Sequence, residues 1–108
     1  MINYRGDYII IKGDEKQVET FYRFMNWANE KSTCGWIGEI GDLLGVVDTR
    51  DGYAYRRGTN EYVPARSTIE FIELYKDEVR LNVIGTDTLE VYKLLQEKFA
   101  SDCELITP

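Results

Sequence analysis

The 108-residue sequence contains no histidine. Without an imidazole, the chain lacks the base of Ser-His-Asp and Cys-His enzymes and a common zinc ligand. Its two cysteines, Cys34 and Cys103, are too few for a disulfide framework or for a structural zinc site. Whether they form a bridge stays open. We therefore expect no metal, no cofactor and no histidine-dependent catalysis.

Long hydrophobic runs are also absent. No apolar run approaches the roughly 18 residues that a membrane-spanning helix requires. The start of the chain, residues 1–5, lacks the basic region and apolar segment of a signal peptide. We expect a protein of the cytoplasm that does not bind membranes.

Positive charge is scarce: 13 basic residues face 19 acidic ones, giving a net charge of −6. Because affinity for nucleic acid comes mainly from phosphate neutralisation, we expect no direct nucleic-acid partner. An acidic chain can instead be drawn to a basic protein surface. Apolar residues make up 44% of the chain, which is typical of one soluble globular domain, here residues 1–108.

Two stretches, residues 8–14 and 81–87, share one plan: an apolar strand, a glycine, an acidic cap and then an amphipathic helix. Asp14 and Asp87 are the predicted N-caps, each followed three residues later by Gln or Glu, as in a capping box. The apolar stripes predicted to be buried are Val18, Phe21, Tyr22, Met25 and Ala28 in the first helix, and Val91, Leu94, Leu95 and Phe99 in the second. Phe24 and Trp27 widen the first stripe. We expect them in the core, the alternative being an exposed aromatic pair that meets a partner.

Residues 34–66 do not fit this plan and are predicted to be an insertion. Four glycines punctuate residues 35–45, which favours an irregular loop that passes into a strand near residues 43–49. They do not match a phosphate-binding loop. Asp51-Gly52 predicts a hairpin between residues 46–50 and 53–57.

A second hairpin is predicted over residues 67–84, and a short strand over residues 103–106. Without the insertion, the order is βαββαβ, the ferredoxin-like plan. The sequence therefore predicts an α+β sandwich, an antiparallel sheet with two helices on one face and a hairpin inserted after the first helix. The other face of the sheet is either open to solvent or covered by the insertion.

One family shows a partial likeness. The run Ile11-Lys12-Gly13-Asp14-Glu15-Lys16 with Val18 and Phe21 resembles the opening of the YubB-like ferredoxin-type proteins of plasmids and phages. The run from Leu81 to Ile84, followed by Leu95, Lys98 and Phe99, looks like their closing strand–helix–strand. The resemblance implies a ferredoxin-type fold and a mobile-element context, and it lends no catalytic residues.

Arginines and tyrosines alternate within the insertion. The candidate binding residues are Arg50, Tyr53, Tyr55, Arg56, Arg57, Tyr62 and Arg66. In a regular hairpin, Tyr53, Tyr55 and Arg57 share one face. Arginine pairs with phosphates and carboxylates, and tyrosine offers a ring face and a hydroxyl. The set predicts a patch for an anionic ligand or an acidic partner surface. Alternatively, the arginines are solvated and balance nearby carboxylates while the tyrosines cover a sheet.

A second candidate surface is acidic and comprises Glu70, Glu73, Asp77 and Glu78 on the second hairpin. Such carboxylates can imitate a row of phosphates in a nucleic-acid-binding groove. Lys76 and Arg80 interrupt them, so a solvated face is the alternative.

Catalytic groups are not singled out. Glu39 with Asp42, or Glu70 with Glu73, have the chemistry for acid–base work or metal binding, but their spacing is that of ordinary surface acids. The hydroxyl and thiol groups of residues 32–34 have no adjacent base. We therefore expect a protein that is not an enzyme.

Small size, acidity and a compact scaffold with an inserted hairpin favour a binding protein. The specific hypothesis is a phage or mobile-element inhibitor of a host macromolecule, of the anti-CRISPR type, that acts by protein–protein contact. Its partner is then a host defence effector or a toxin. The alternatives are a module that binds a nucleotide or another anionic metabolite, and a toxin-neutralising immunity protein. A homodimer stays possible.

Overall fold

The computed structural model describes the backbone of residues 2–108 and the side chains of residues 8–108. It is an α+β structure of three helices and two antiparallel sheets. The elements in chain order are β1 (Ile2–Lys12), α1 (Glu15–Lys31), α2 (Ile37–Leu43), β2 (Val47–Arg50), β3 (Tyr53–Arg56), β4 (Tyr62–Val63), β5 (Thr68–Leu74), β6 (Glu78–Asp87), α3 (Glu90–Phe99) and β7 (Glu104–Ile106).

The larger sheet has the strand order β5-β6-β1-β7. Its register pairs Ile9 with Leu81 and Ile11 with Val79, and all four side chains are fully buried. The long helix α1 lies against β5 and β6 and also contacts α3. Because successive side chains of a strand point to opposite faces, burial of this row leaves the intervening residues on the other face of the sheet.

The first helix follows the sequence prediction closely. The backbone N–H of Gln17 donates to the Asp14 carboxylate over 3.0 Å, as expected of an N-cap. The Gln17 side chain does not close a capping box, because its amide exchanges two hydrogen bonds with Asp102 instead. The predicted stripe is buried at Val18, Phe21, Met25 and Ala28, while Tyr22 is half-buried.

The insertion differs from its prediction. Residues 34–66 contain a helix, α2, and a three-stranded sheet of order β2-β3-β4, where we expected a loop and one hairpin. The order of helices and strands therefore differs from a plain βαββαβ arrangement, which is not confirmed. The Asp51-Gly52 turn is confirmed, and both residues have positive φ, 52° and 80°.

Close packing explains why a glycine-rich segment forms α2. A Cβ on Gly38 would lie 2.4 Å from the Trp36 ring. A Cβ on Gly41 would lie 2.8 Å from Val91 and 2.9 Å from Val47. Gly41 therefore lets α2 approach α3 and β2, and Gly38 leaves room for the Trp36 ring, so close packing offsets the low helix propensity of glycine.

Asp87 is not the N-cap of α3, contrary to the prediction. It ends β6, and its side chain is 1% exposed. One carboxylate oxygen accepts from the backbone N–H groups of Arg66 and Ser67 and from the Ser67 hydroxyl, and the other accepts from the Leu89 N–H. Leu89 occupies the cap position with a φ of 71°. Asp87 therefore satisfies buried donors from two segments of the chain.

We expect Asp87→Ala to lower the free energy of unfolding by about 2–4 kcal/mol, because it leaves several buried donors without an acceptor. Asp14→Ala, which removes an exposed helix cap, is the matched control and should cost about 1 kcal/mol. Urea denaturation of both variants measures the difference. Equal losses would mean that Asp87 acts as a simple cap.

Candidate functional site

Three tyrosines lie together on the outer face of the three-stranded sheet. The Tyr62 ring is 6.1 Å from that of Tyr53 and 6.4 Å from that of Tyr55, and both pairs are edge-on. Tyr53 is 55% exposed and Tyr62 45%. Ala54 and Val63 pair across the sheet and are buried, so they occupy the inner face. Because side chains alternate along β3, Tyr53 and Tyr55 lie on the outer face, while Ala54 between them packs towards the core.

Arg50 stabilises this arrangement. Its guanidinium lies 4.1 Å from the centre of the Tyr55 ring, a cation–π contact. The same group donates hydrogen bonds of 3.1 Å to the Thr59 carbonyl and to the Asn60 side chain. Arg50 therefore fixes both Tyr55 and the turn before β4. We call Arg50, Tyr53, Tyr55 and Tyr62 the tyrosine surface.

Arg56 and Arg57 lie outside this surface and contact other parts of the protein. Arg56 lies 3.2 Å from the Glu61 carboxylate and 3.6 Å from that of Glu90. Arg57 follows the end of β3 and donates to the Gly45 carbonyl over 2.8 Å. Both side chains brace the insertion, so the predicted face shared by Arg57 and the tyrosines is not the arrangement found.

Arg66 is separate again. It is exposed and lies between β4 and β5, where its backbone N–H donates to Asp87. The seven residues predicted from the sequence therefore divide into one compact tyrosine surface and three arginines at other positions. Three of the four arginine side chains already contact a carbonyl, an amide oxygen or a carboxylate.

The four predicted acidic residues do not form a continuous row. Glu73 and Glu78 lie on β5 and β6 on either side of Arg80, whose guanidinium is 3.0 Å from Glu78. Glu70 is exposed at the irregularity in β5, and Asp77 is in the turn that follows this strand. The Tyr75 hydroxyl donates to Glu73 over 3.1 Å, and this hydrogen bond raises the pKa of Tyr75.

The sequence left open whether the second face of the larger sheet is open to solvent or covered by the insertion, and it did not identify the large side chains that are exposed there. Four large side chains are exposed there: Tyr8 at 38%, Phe71 at 63%, Tyr75 at 43% and Ile84 at 43%. Arg80 lies 4.4 Å from the centre of the Tyr75 ring and 5.9 Å from that of Tyr8. The sequence signal for this surface was the alternation in residues 71–75, which places aromatic and acidic side chains on one face of the strand. We call this surface the open face.

Phe24 and Trp27 are not in the core, contrary to the expectation. They are 44% and 46% exposed, and the Phe24 ring stacks on that of Phe99 at 4.4 Å. With Thr20 and Arg23 they line a shallow cavity of about 460 Å³ along α1. Since these residues are three or four apart, they form one outward stripe of the helix.

Within residues 8–108, no group of three or more cysteine, aspartate or glutamate side chains is placed to hold a metal ion. None of the described helices is long and apolar enough to cross a membrane. Cys34 and Cys103 are both free thiols, the first exposed and the second buried.

Comparison of the chain with protein-family models, with curated proteins and with solved structures found no match. The resemblance to YubB-like proteins therefore stays a prediction.

The two cysteines should differ in reactivity. Burial raises the pKa of the Cys103 thiol, so less of it is thiolate at a given pH, and its access to reagents is restricted. We expect iodoacetamide at pH 8 to label Cys34 at least about tenfold faster than Cys103. Peptide mass spectrometry measures both rates, and labelling in urea is the control. Equal rates in the folded protein would contradict the buried position of Cys103.

Proposed function

We propose that the protein is a non-enzymatic binding module that recognises another protein through the tyrosine surface. The observation that carries the proposal is the presence of three neighbouring tyrosines on one face of a small sheet, two of them about half exposed. Tyrosine is among the residues that dominate binding energy at interfaces, because its large ring carries few rotatable bonds and a hydroxyl.

The state of the arginines favours a protein partner over a small anion. Arg50, Arg56 and Arg57 already contact carbonyl or carboxylate oxygens. A phosphate would have to replace these contacts. A protein surface needs only the ring faces and hydroxyls that Tyr53 and Tyr62 already expose. The net charge of −6 favours a partner with a basic surface, since attraction raises the association rate.

A finer proposal concerns the biological role. We propose inhibition of a host macromolecule, with a bacterial defence nuclease complex or a toxin as the partner. Its support is the small, acidic, histidine-free chain, together with the resemblance to proteins of phages and plasmids. The same support extends to a toxin-neutralising immunity protein.

We also propose that β1, α1, β5, β6, α3 and β7 form a ferredoxin-like unit into which residues 34–66 are inserted. The supporting observation is the antiparallel order β5-β6-β1-β7, in which the first strand pairs with the third and fourth strands of the unit. The insertion joins this unit at β5. There Ile69 N–H donates to the Gly35 carbonyl and Ile37 N–H donates to the Ser67 carbonyl.

The test uses the double variant Tyr53→Ala/Tyr62→Ala and the control Trp27→Ala, whose indole is exposed to a similar extent on α1. Tagged wild-type protein captures partners from bacterial lysate, and calorimetry with the purified partner gives the affinity. We expect the double variant to lose at least about tenfold in affinity, because exposed anchors are truncated. The Trp27→Ala variant should bind like the wild type.

Tyr53 and Tyr62 are better probes than Tyr55 and Arg57. The latter two make contacts within the insertion, with Arg50 and Gly45 respectively, so their removal also affects folding. Unfolding curves confirm that each variant is folded. A partner that binds wild type and double variant equally would remove the tyrosine surface from consideration.

The second candidate function, binding of a nucleotide or another anionic metabolite, has its own readout. A ligand at 100 times its Kd adds about 2.7 kcal/mol of stability, which a thermal shift assay detects. Such a shift, together with an absence of captured proteins, would favour this alternative.

A further inference from the structure

We infer that the open face of the larger sheet is a homodimer interface, in which two copies of this chain pack sheet against sheet. The inference is independent of the proposed partner, because the open face and the tyrosine surface belong to different sheets. Three observations carry it: the apolar character of the face, its charge and its size.

The exposed apolar side chains of the open face are grouped around Asn82. The register places Tyr8 opposite Asn82 and Asn82 opposite Phe71, with Ile84 two residues further along β6. Phe71 is 63% exposed, the largest value among the exposed apolar side chains of residues 8–108. Several exposed apolar side chains grouped on one face of a sheet are typical of an interaction site, since their burial removes apolar surface from water.

The charge of the open face favours a second copy over a basic partner. Its charged side chains within residues 8–108 are Lys12, Arg80, Glu73, Glu78 and Glu104 by register, together with Glu70, which is exposed in the bulge beside Phe71. Two positive and four negative groups give −2, against −6 for the whole chain. Most of the negative charge therefore lies elsewhere, and two copies can meet at this face with little repulsion.

The arrangement of charges is also self-complementary. Glu78 on β6 and Lys12 on β1 are direct neighbours on the two central strands. Consider a two-fold axis that runs parallel to the strands, midway between β6 and β1. It places β6 of one copy opposite β1 of the other. Glu78 of each copy then lies opposite Lys12 of the other, as an isologous interface requires.

The size of the face suits a small dimer. The four strands contain 7, 10, 11 and 3 residues. At about 3.3 Å a residue and about 4.8 Å between strands, the face covers about 500 Å². Two such faces together bury about 1,000 Å², which is the lower limit for a specific interface. Two packed sheets would then cover the face that no helix covers.

Sedimentation equilibrium of the purified full chain between about 1 and 200 μM tests the inference. We expect a dimer of twice 12.6 kDa that dissociates on dilution. Phe71→Ala should raise the dissociation constant at least about tenfold, because it removes the most exposed large apolar side chain of the open face. Trp27→Ala, which truncates an exposed aromatic side chain on α1, should leave it unchanged.

A charge substitution supplies a second, independent pair of variants. Lys12→Glu and Lys16→Glu make the same change in net charge, but only Lys12 lies on the open face, since Lys16 is exposed on α1. We expect Lys12→Glu to weaken the dimer and Lys16→Glu to have little effect. Urea denaturation and circular dichroism confirm that each variant is folded.

A wild-type chain that stays monomeric at 200 μM would overturn the inference. So would a dimer that the open-face and control variants weaken equally. Neither result bears on the tyrosine surface, because no partner protein is present in these measurements. Loss of partner binding in Tyr53→Ala/Tyr62→Ala with an intact dimer would in turn leave the homodimer interface in place.

Discussion

The carboxylate of Asp87 is the contact on which the arrangement of the chain most depends. It accepts hydrogen bonds from residues 66 and 67, where the insertion returns to the larger sheet, and from residue 89, where α3 begins. The Ser67 hydroxyl also lies 2.6 Å from that of Tyr92. A buried carboxylate is costly unless its oxygens are satisfied, and here every bond that satisfies it also fixes one segment against another. Asp87 thereby sets the position from which β5 and α3 start.

Polar contacts stabilise the insertion internally and connect it to α3. Trp36 donates its ring N–H to the Ala65 carbonyl over 2.7 Å, while Arg57 and Lys98 bind the carbonyls of Gly45 and Leu44 at the end of α2. Positive charge at the C-terminal end of a helix is favourable. The arginines that suggest a ligand patch in the sequence thus mainly stabilise the insertion through contacts within the protein. The tyrosine rings remain available for recognition. They lie on a rigid sheet, and a preorganised surface loses less entropy on binding.

The two sheets give the protein two surfaces of different character. The tyrosine surface belongs to the small inserted sheet, and the open face belongs to the larger sheet, whose opposite side carries the buried row of Ile9, Ile11, Val79 and Leu81. If the open face pairs two copies, the assembly carries two tyrosine surfaces. A partner with two matching sites would then bind far more tightly than a single contact allows.

The sequence by itself determined the elements whose signals are local. Periodicity predicted α1 and its buried stripe, the side-chain chemistry of Asp14 predicted its cap, and the Asp51-Gly52 pair predicted its turn. Each depends on residues within one turn or one hairpin.

Only the tertiary structure decided the rest. Gly41 lies in a helix that approaches α3 and β2 closely, and Asp87 is buried where the backbone N–H groups of residues 66 and 67 meet its carboxylate. Arg56 and Arg57 contact the Glu90 carboxylate and the Gly45 carbonyl instead of the tyrosines, and such long-range contacts leave no periodic trace in the chain.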